Sequence, residues 1–326
     1  MKKIAIILAL ALSACAHAPE VKPPAAFIPP ATAAAQELFR FDATPRIAVA
    51  TAYQPEFEAL IGHLKNKKTY SDHGVSFHTG ELAGKEVVLF MTGISIVNAA
   101  MNTQFLFDSF NVTDLVMSGI AGGVDPAFNI GDVSIPERWG QYNEVIYLRE
   151  RNGKFVLPLY QDKLEFPPFL FMAPVGVRIA KEGDPNPDRK FWFEADPGML
   201  DAAKLAADKA QFKTCTPEGN CLSHKPKAVV GGNGVTGSAF MDNAKYRKYL
   251  YKTFEARVVE METAAVAMAA YSNGVRYIAF RSLSDLAGGG NATHNEEETF
   301  FALASENAAA LTLAFLEVYQ PPVSAK

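Results

Sequence analysis

From Arg46 onward, short apolar runs alternate with stretches of helical spacing, and that alternation restricts the possible folds more than any other feature. "RIAVATAY" (46–53), "EVVLFMT" (86–92), "DLVMSG" (114–119), "KAVVGG" (227–232) and "VRYIAFRS" (275–282) read as buried strands. Helices are expected at 55–66, 95–109, 198–210, 242–253, 262–273 and 296–318. Alternating elements of this kind predict an α/β domain, over residues 45–320, around one mostly buried sheet. The chain has 326 residues and is 49% hydrophobic, enough for one large core or two small ones. Residues 137–195, with Trp139, Trp192 and several prolines, read as an elaborated loop region over one sheet end, and 321–326 as a tail.

The N-terminus lies outside that domain. "MKKIAIILALALSAC" carries two lysines, nine apolar residues from Ile4 to Leu12, then a small-residue site. This is the layout of a secretory signal, too short to span a bilayer. Leu12-Ser13-Ala14-Cys15 resembles a bacterial lipobox, which implies removal of residues 1–14 and lipid attachment at Cys15. The rival reading is an ordinary cleaved signal with a chance cysteine. Ala16 follows, with no Asp there to imply inner-membrane retention, so the expected location is the outer membrane, facing the periplasm. Residues 15–44 form an expected Pro/Ala-rich tether, five of whose prolines fall within 16–30.

The formal charge is −4, and no long basic run occurs, which argues against nucleic acid as a partner. Cys215 and Cys221 sit in "CTPEGNC". An exported chain meets an oxidising compartment, so a short disulfide loop is expected. Zinc is the rival, but no His pair stands at metal-ligand spacing, and neither a metal nor a cofactor is expected.

Four stretches could build a site. In "TAYQPEFEAL" (51–60), Glu56 follows a strand near the first turn of a helix, where the helix dipole alone would favour it. "SGIAGGV" (118–124) reads as a glycine-rich strand end that lets backbone amides approach a ligand; no Gly-Lys-Ser/Thr follows, so it is not a P-loop. In "VVEMETAA" (258–265), Glu260 and Glu262 flank Met261 where a strand meets a helix; they are either helix caps or acceptors for vicinal hydroxyls. In "FRSLSDLAGG" (280–289), Asp285 opens the loop after a strand, as a turn former or as an acid in a partly dry pocket.

Taken in order, these pieces resemble the nucleoside phosphorylase/nucleosidase superfamily, and within it the 5'-methylthioadenosine/S-adenosylhomocysteine nucleosidases. The resemblance spans about residues 46–318 and is carried by "RIAVATAYQPEFEAL", "TGISIVNAA" (92–100), "SGIAGGV" with "IGDVSIPE" (130–137), "GSAFMDN" (237–243), "VVEMETAAVA" (258–267) and "FRSLSDLAGG". It implies a single-domain fold with a central mixed, twisted sheet flanked by helices, and cleavage of a purine nucleoside. Asp285 would protonate the leaving base, with Ser284 steadying its loop. Glu56 would orient or deprotonate the water. Glu262 would hold the ribose hydroxyls, Met261 would lie against the sugar, and Ala121 and Gly122 would line its side. Phe240 would stack on the base, Met241 would read its edge, and Arg281 would tie the Glu56 region to the Asp285 strand. Gln54 and Pro55 stand where these nucleosidases usually carry acids, and residues 137–195 are longer than in the simple enzymes.

"LAGGGNATHNEE" (286–297), the Cys215–Cys221 region and "PERWGQY" (136–142) are also similar to plant bark and vegetative storage proteins. That similarity keeps open a non-catalytic nucleoside-binding or storage lipoprotein. A phosphorylase would need cations for phosphate. "TAYQPEF", "TGISIVN" and "SGIAGG" contain no Arg, which favours water as nucleophile unless Arg138 or a neighbouring subunit supplies the charge. Apolar strand-rim surface and the habit of the superfamily imply a homo-oligomer, expected to be a dimer.

Overall fold

The computed structural model describes residues 39–159, 163–181, 183–184, 186–289 and 297–322. The expected signal segment, Cys15, and the tether up to residue 38 lie outside the described residues, as do 290–296 and 323–326. In chain order the elements are β1 (Asp42–Thr51), α1 (Gln54–Ile61), β2 (Lys65–Asp72), β3 (Val75–Leu82), β4 (Lys85–Met91), α2 (Ile96–Ser109), β5 (Phe110–Gly123), β6 (Val133–Ile135), β7 (Arg138–Gln141), β8 (Val145–Tyr147), β9 (Arg149–Arg151), β10 (Lys154–Val156), β11 (Met172–Pro174) and β12 (Trp192–Glu194). There follow α3 (Pro197–Lys209), β13 (Ala228–Val230), β14 (Asn233–Thr236), α4 (Ala244–Phe254), β15 (Ala256–Glu260), α5 (Thr263–Ser272), β16 (Arg276–Asp285) and α6 (Glu297–Val318).

The architecture is α/β around one mixed sheet of twelve strands, with a path β12-β7-β14-β15-β5-β1-β4-β3-β2 and with β16, β6 and β13 branching from it. At its centre β5 lies between β1 and β16, parallel to both: Ala48 pairs Leu115, and Tyr277 pairs the same Leu115 from the other side. Ile47–Ala50, Leu115–Met117 and Ile278–Phe280 are all buried. A strand covered on both faces has no wet side for polar residues, which is why these segments are continuous apolar runs. Helix α6 packs on β5 and β16 with α1 and α3 beside it, and α2 packs against α5. The apolar stretch Phe300–Val318 is long enough to cross a membrane, but Leu311, Phe315 and Leu316 are fully buried, as in a core helix.

Three expectations need correction. The helix expected over 55–66 stops at Ile61, and the chain returns as the hairpin β2–β3. Its turn is His73–Gly74, both at positive φ, which suits the twist of a two-residue hairpin. The Lys-rich β2 is a wet edge strand and carries no apolar run to reveal it. Next, the strand expected over 114–119 runs on as β5 to Gly123, so "SGIAGGV" is the glycine-rich end of the strand itself. Finally, residues 137–195 are not loop alone. β7 joins the main sheet beside β14 and β12, and β8–β11 and β9–β10 form two small ribbons. Beneath this region a second core gathers Tyr142, Phe191, Val235, Leu250 and Phe254.

Candidate active site

A cavity of about 200 Å³ opens where the C-terminal ends of β1, β5, β15 and β16 converge. Sheets of this kind collect ligands beyond strand ends. Glu56, Ala121, Gly122, Phe240, Met241, Glu260, Met261, Glu262, Ser284 and Asp285 all line it. Arg281 does not; it lies fully buried and ties three of the acids together.

Glu56 sits in the first turn of α1, where Pro55 tolerates the unpaired amide position. Its Oε2 accepts from the amides of Ala52 (2.6 Å) and Tyr53 (3.4 Å), and its Oε1 from the amide of Ile120 (2.8 Å). Arg281 Nη1 stands 3.7 Å from Oε1. Burial pushes this carboxyl above its ordinary range, while Arg281 and the three amides pull against that. Such closeness between strand and side chain requires glycine. A Cβ on Gly119 would land on both the Arg281 guanidinium and the Glu56 carboxylate.

Glu260 and Glu262 do different work. Glu260 is engaged at both oxygens. Oε1 accepts from Thr236 Oγ1, while Oε2 pairs with Arg281 and accepts the amides of Glu262 (3.0 Å) and Thr263 (2.8 Å) and the Thr263 hydroxyl (2.8 Å). It thus caps α5 and anchors Arg281. Glu262 accepts the Ser95 amide at Oε1 (2.7 Å) and leaves Oε2 3.6 Å from Arg281. Its carboxyl is pushed up to about 8, first by burial and next by Glu260; Arg281 and the Ser95 amide oppose this. One guanidinium faces three buried carboxyls, which biases Glu262 toward its protonated form.

Asp285 ends β16 in register with Gly122. Its Oδ2 accepts from Ser284 Oγ (2.8 Å) and its Oδ1 from the Ala287 amide (2.6 Å). Burial raises its pKa above the ordinary carboxylate value against both bonds. A Cβ on Gly122 would come within 3.0 Å of Oδ1, so glycine here leaves room for the acid. Phe240 stands half-exposed at the cavity mouth.

Sequence reasoning missed several contributors. Ser95 holds Glu262 from a backbone at φ 80°, which an L-residue adopts only at a cost. Thr236 and Thr263 hold Glu260 and Arg281, and Tyr53, Ile94 and Phe301 complete the wall. "TGISIVNAA" marked the turn that bears Ser95; nothing local marked Thr236 or Phe301. Arg138, left open above as a phosphate ligand, donates Nε to Asn233 and stacks over Trp192 instead. Among the described residues, no Lys or Arg lines the cavity. Cys215 and Cys221 are bonded to each other, away from the cavity lining.

The family model described as the phosphorylase superfamily matches residues 46–317. The chain is 28% identical to bark storage protein A of Populus deltoides over 259 residues, covering 76% of this chain and 79% of that one. It is also 28% identical to the 5'-methylthioadenosine/S-adenosylhomocysteine nucleosidase of Halalkalibacterium halodurans, over 83% of this chain and 97% of that one. The crystal structure of such a nucleosidase from Colwellia psychrerythraea in complex with adenine superposes with a TM-score of 0.64 at 26% identity, covering 86% of this chain and 98% of that one.

Proposed function

This chain belongs to the phosphorylase superfamily, and on that premise we propose that it hydrolyses the N-glycosidic bond of a purine nucleoside and releases the free base. The observation that carries this is the convergence of Glu56, Glu262 and Asp285 on one cavity that, among the described residues, no Lys or Arg lines. Cleaving such a bond leaves negative charge on the departing base and an oxocarbenium ion on the sugar. A proton for the base and nearby negative charge for the sugar are what the reaction needs.

In this reading Asp285 is the acid. Burial keeps its proton available, and the Ser284 hydroxyl and Ala287 amide hold its two oxygens in place. Glu56 has spent three acceptor positions on amides; a carboxylate has about four, so one remains to orient and deprotonate a water. Glu262 takes the ribose hydroxyls, Met261, Ala121 and Gly122 pack on the sugar, Phe240 stacks on the base, and Met241 reads its edge. Glu260 and Arg281 act from behind, holding this set together.

Water is favoured over phosphate by two features. The amides of Ala52, Tyr53 and Ile120, which could have bound an anion, already serve Glu56. The described lining also supplies no Lys or Arg to neutralise a phosphate. The similarity to nucleosidases supports the same choice, while that to bark storage protein A supports a non-catalytic nucleoside-binding reading.

Purine release from methylthioadenosine, inosine and adenosine, with and without inorganic phosphate, tests all of this. Release without phosphate is expected, and Asp285→Asn and Glu56→Gln each lose at least about a hundredfold in turnover. Release only with phosphate would establish a phosphorylase; tight binding with no release would establish a non-enzyme. The reading also places the domain outside the cytoplasm on a lipid at Cys15, so Cys15→Ser should shift the protein from the membrane to the soluble fraction. Exposed Ile94, Val97 and Met101 beside the cavity support a homodimer, to be checked by light scattering.

A further inference from the structure

The Asp285 turn rests on the start of α4. Gly288, at φ 79°, packs so closely on the backbone of Asp242 and Asn243 that a Cβ there would collide with it. A Cβ on Gly289 would fall on the guanidinium of Arg247. Arg247 Nε also donates to the carbonyl of Gly123 (2.8 Å), the last residue of β5 and the neighbour of Gly122. Arg247 is thus in contact with both walls that bracket the Asp285 carboxyl. Asn243, which caps α4 by accepting the Tyr246 amide (2.9 Å), fixes the helix from which the arginine projects.

We propose that Arg247 is a positioning residue for Asp285: its guanidinium bridges the end of β5 and the Asp285–Gly289 turn, and so sets where the carboxyl stands over the cavity. This rests on the assignment of Asp285 as the acid. The electrostatics agree with the geometry. Asp285 is faced from the α4 side by Asp242, which raises its pKa, and by Arg247, which lowers it; Arg247 in turn is faced by Asp125 and Asp285. Without Arg247, burial and Asp242 act on the carboxyl unopposed by a cation from α4.

The test is Arg247→Met, with Arg247→Lys and Gly289→Ala beside it. In Arg247→Met, kcat should fall about ten- to a hundredfold, the cost of a misplacement on the ångström scale. KM should stay within about threefold, because the ribose and base contacts are untouched. The alkaline limb of the rate profile should move to higher pH, and Lys should restore part of the rate. Gly289→Ala, which pushes the guanidinium aside without removing it, should reproduce the loss even if Arg247→Met fails to fold. Hydrogen exchange over residues 283–289 should quicken in Arg247→Met whether or not any nucleoside is turned over. A wild-type protein that releases no base removes the reading of Asp285 as an acid. An active wild type with unchanged rate, pH profile and exchange in these variants overturns the role of Arg247 alone.

Discussion

Replacing Glu262 by Gln should make the fold more stable in alkaline solution while it disables the site. The wild-type carboxyl titrates at about 8 in the folded chain against an ordinary 4.5. Between these values the unfolded chain has lost the proton and the folded chain has kept it. Folding then takes up a proton, so stability falls as pH rises through this window and levels off above it. The gap from 4.5 to about 8, at about 1.4 kcal/mol for each pH unit, is worth about 5 kcal/mol. Glutamine keeps the shape and can still accept the Ser95 amide, but it does not titrate. Asp285 titrates in both proteins and does not act on Glu262, so its contribution cancels in the difference; Glu56 does act on Glu262, loses a like charge beside it in the variant, and so adds to the difference in the same direction. Urea unfolding of both proteins at about pH 5 and about pH 9 measures that difference. Relative to wild type, the variant should gain several kcal/mol on going from acid to alkali. Its turnover should drop ten- to about a hundredfold, because the amide cannot give up a proton to become the anion that grips the ribose hydroxyls and steadies the cationic sugar. A stability difference that stays constant within about 1 kcal/mol between the two pH values would refute the raised pKa of Glu262.

Gly119→Ala should cost about 1–3 kcal/mol and most of the activity, because the new Cβ occupies the contact between Arg281 and Glu56; a wild-type urea midpoint with a normal rate would contradict this. The Cys215→Ser/Cys221→Ser double variant should lose about 2 kcal/mol, the loop-closure value for a short loop, and keep its rate, because the bond closes a loop with a sequence separation of 6 and neither cysteine lines the cavity. Thermal melts with parallel rate measurements check both halves, and an inactive but equally stable variant would mean the loop serves the site directly.

Much of the central sheet was legible because burial writes itself into local sequence. β1, β4, β5 and β16 are covered on both faces, so each is an apolar run that needs no partner to be seen. β2 and β3 were not legible: the edge strand is lysine-rich, and its pairing partner alternates only weakly. β7 and β14 were missed as main-sheet strands because each has only four residues and is defined by its neighbours. The site divides in the same way. Glu56, Glu262 and Asp285 each follow an apolar run, and a carboxylate at a strand end is visible in one dimension. Ser95, Thr236 and Arg247 serve the site through contacts made across more than a hundred positions in two of the three cases. No spacing rule reaches that far.

Local order of residues alone determined where the acids could stand: after buried strands, beside glycines, at the rim of a covered sheet. What only the folded chain decided is what those acids are. Glu260 is a fully bonded anchor, Glu262 an acid biased toward its neutral form, Glu56 a buried acid held by three amides, and Arg281 the guanidinium they share. The reason is that side-chain type follows from the chain, whereas protonation follows from lost water and nearby charge. Both are supplied by segments that meet only when the sheet closes.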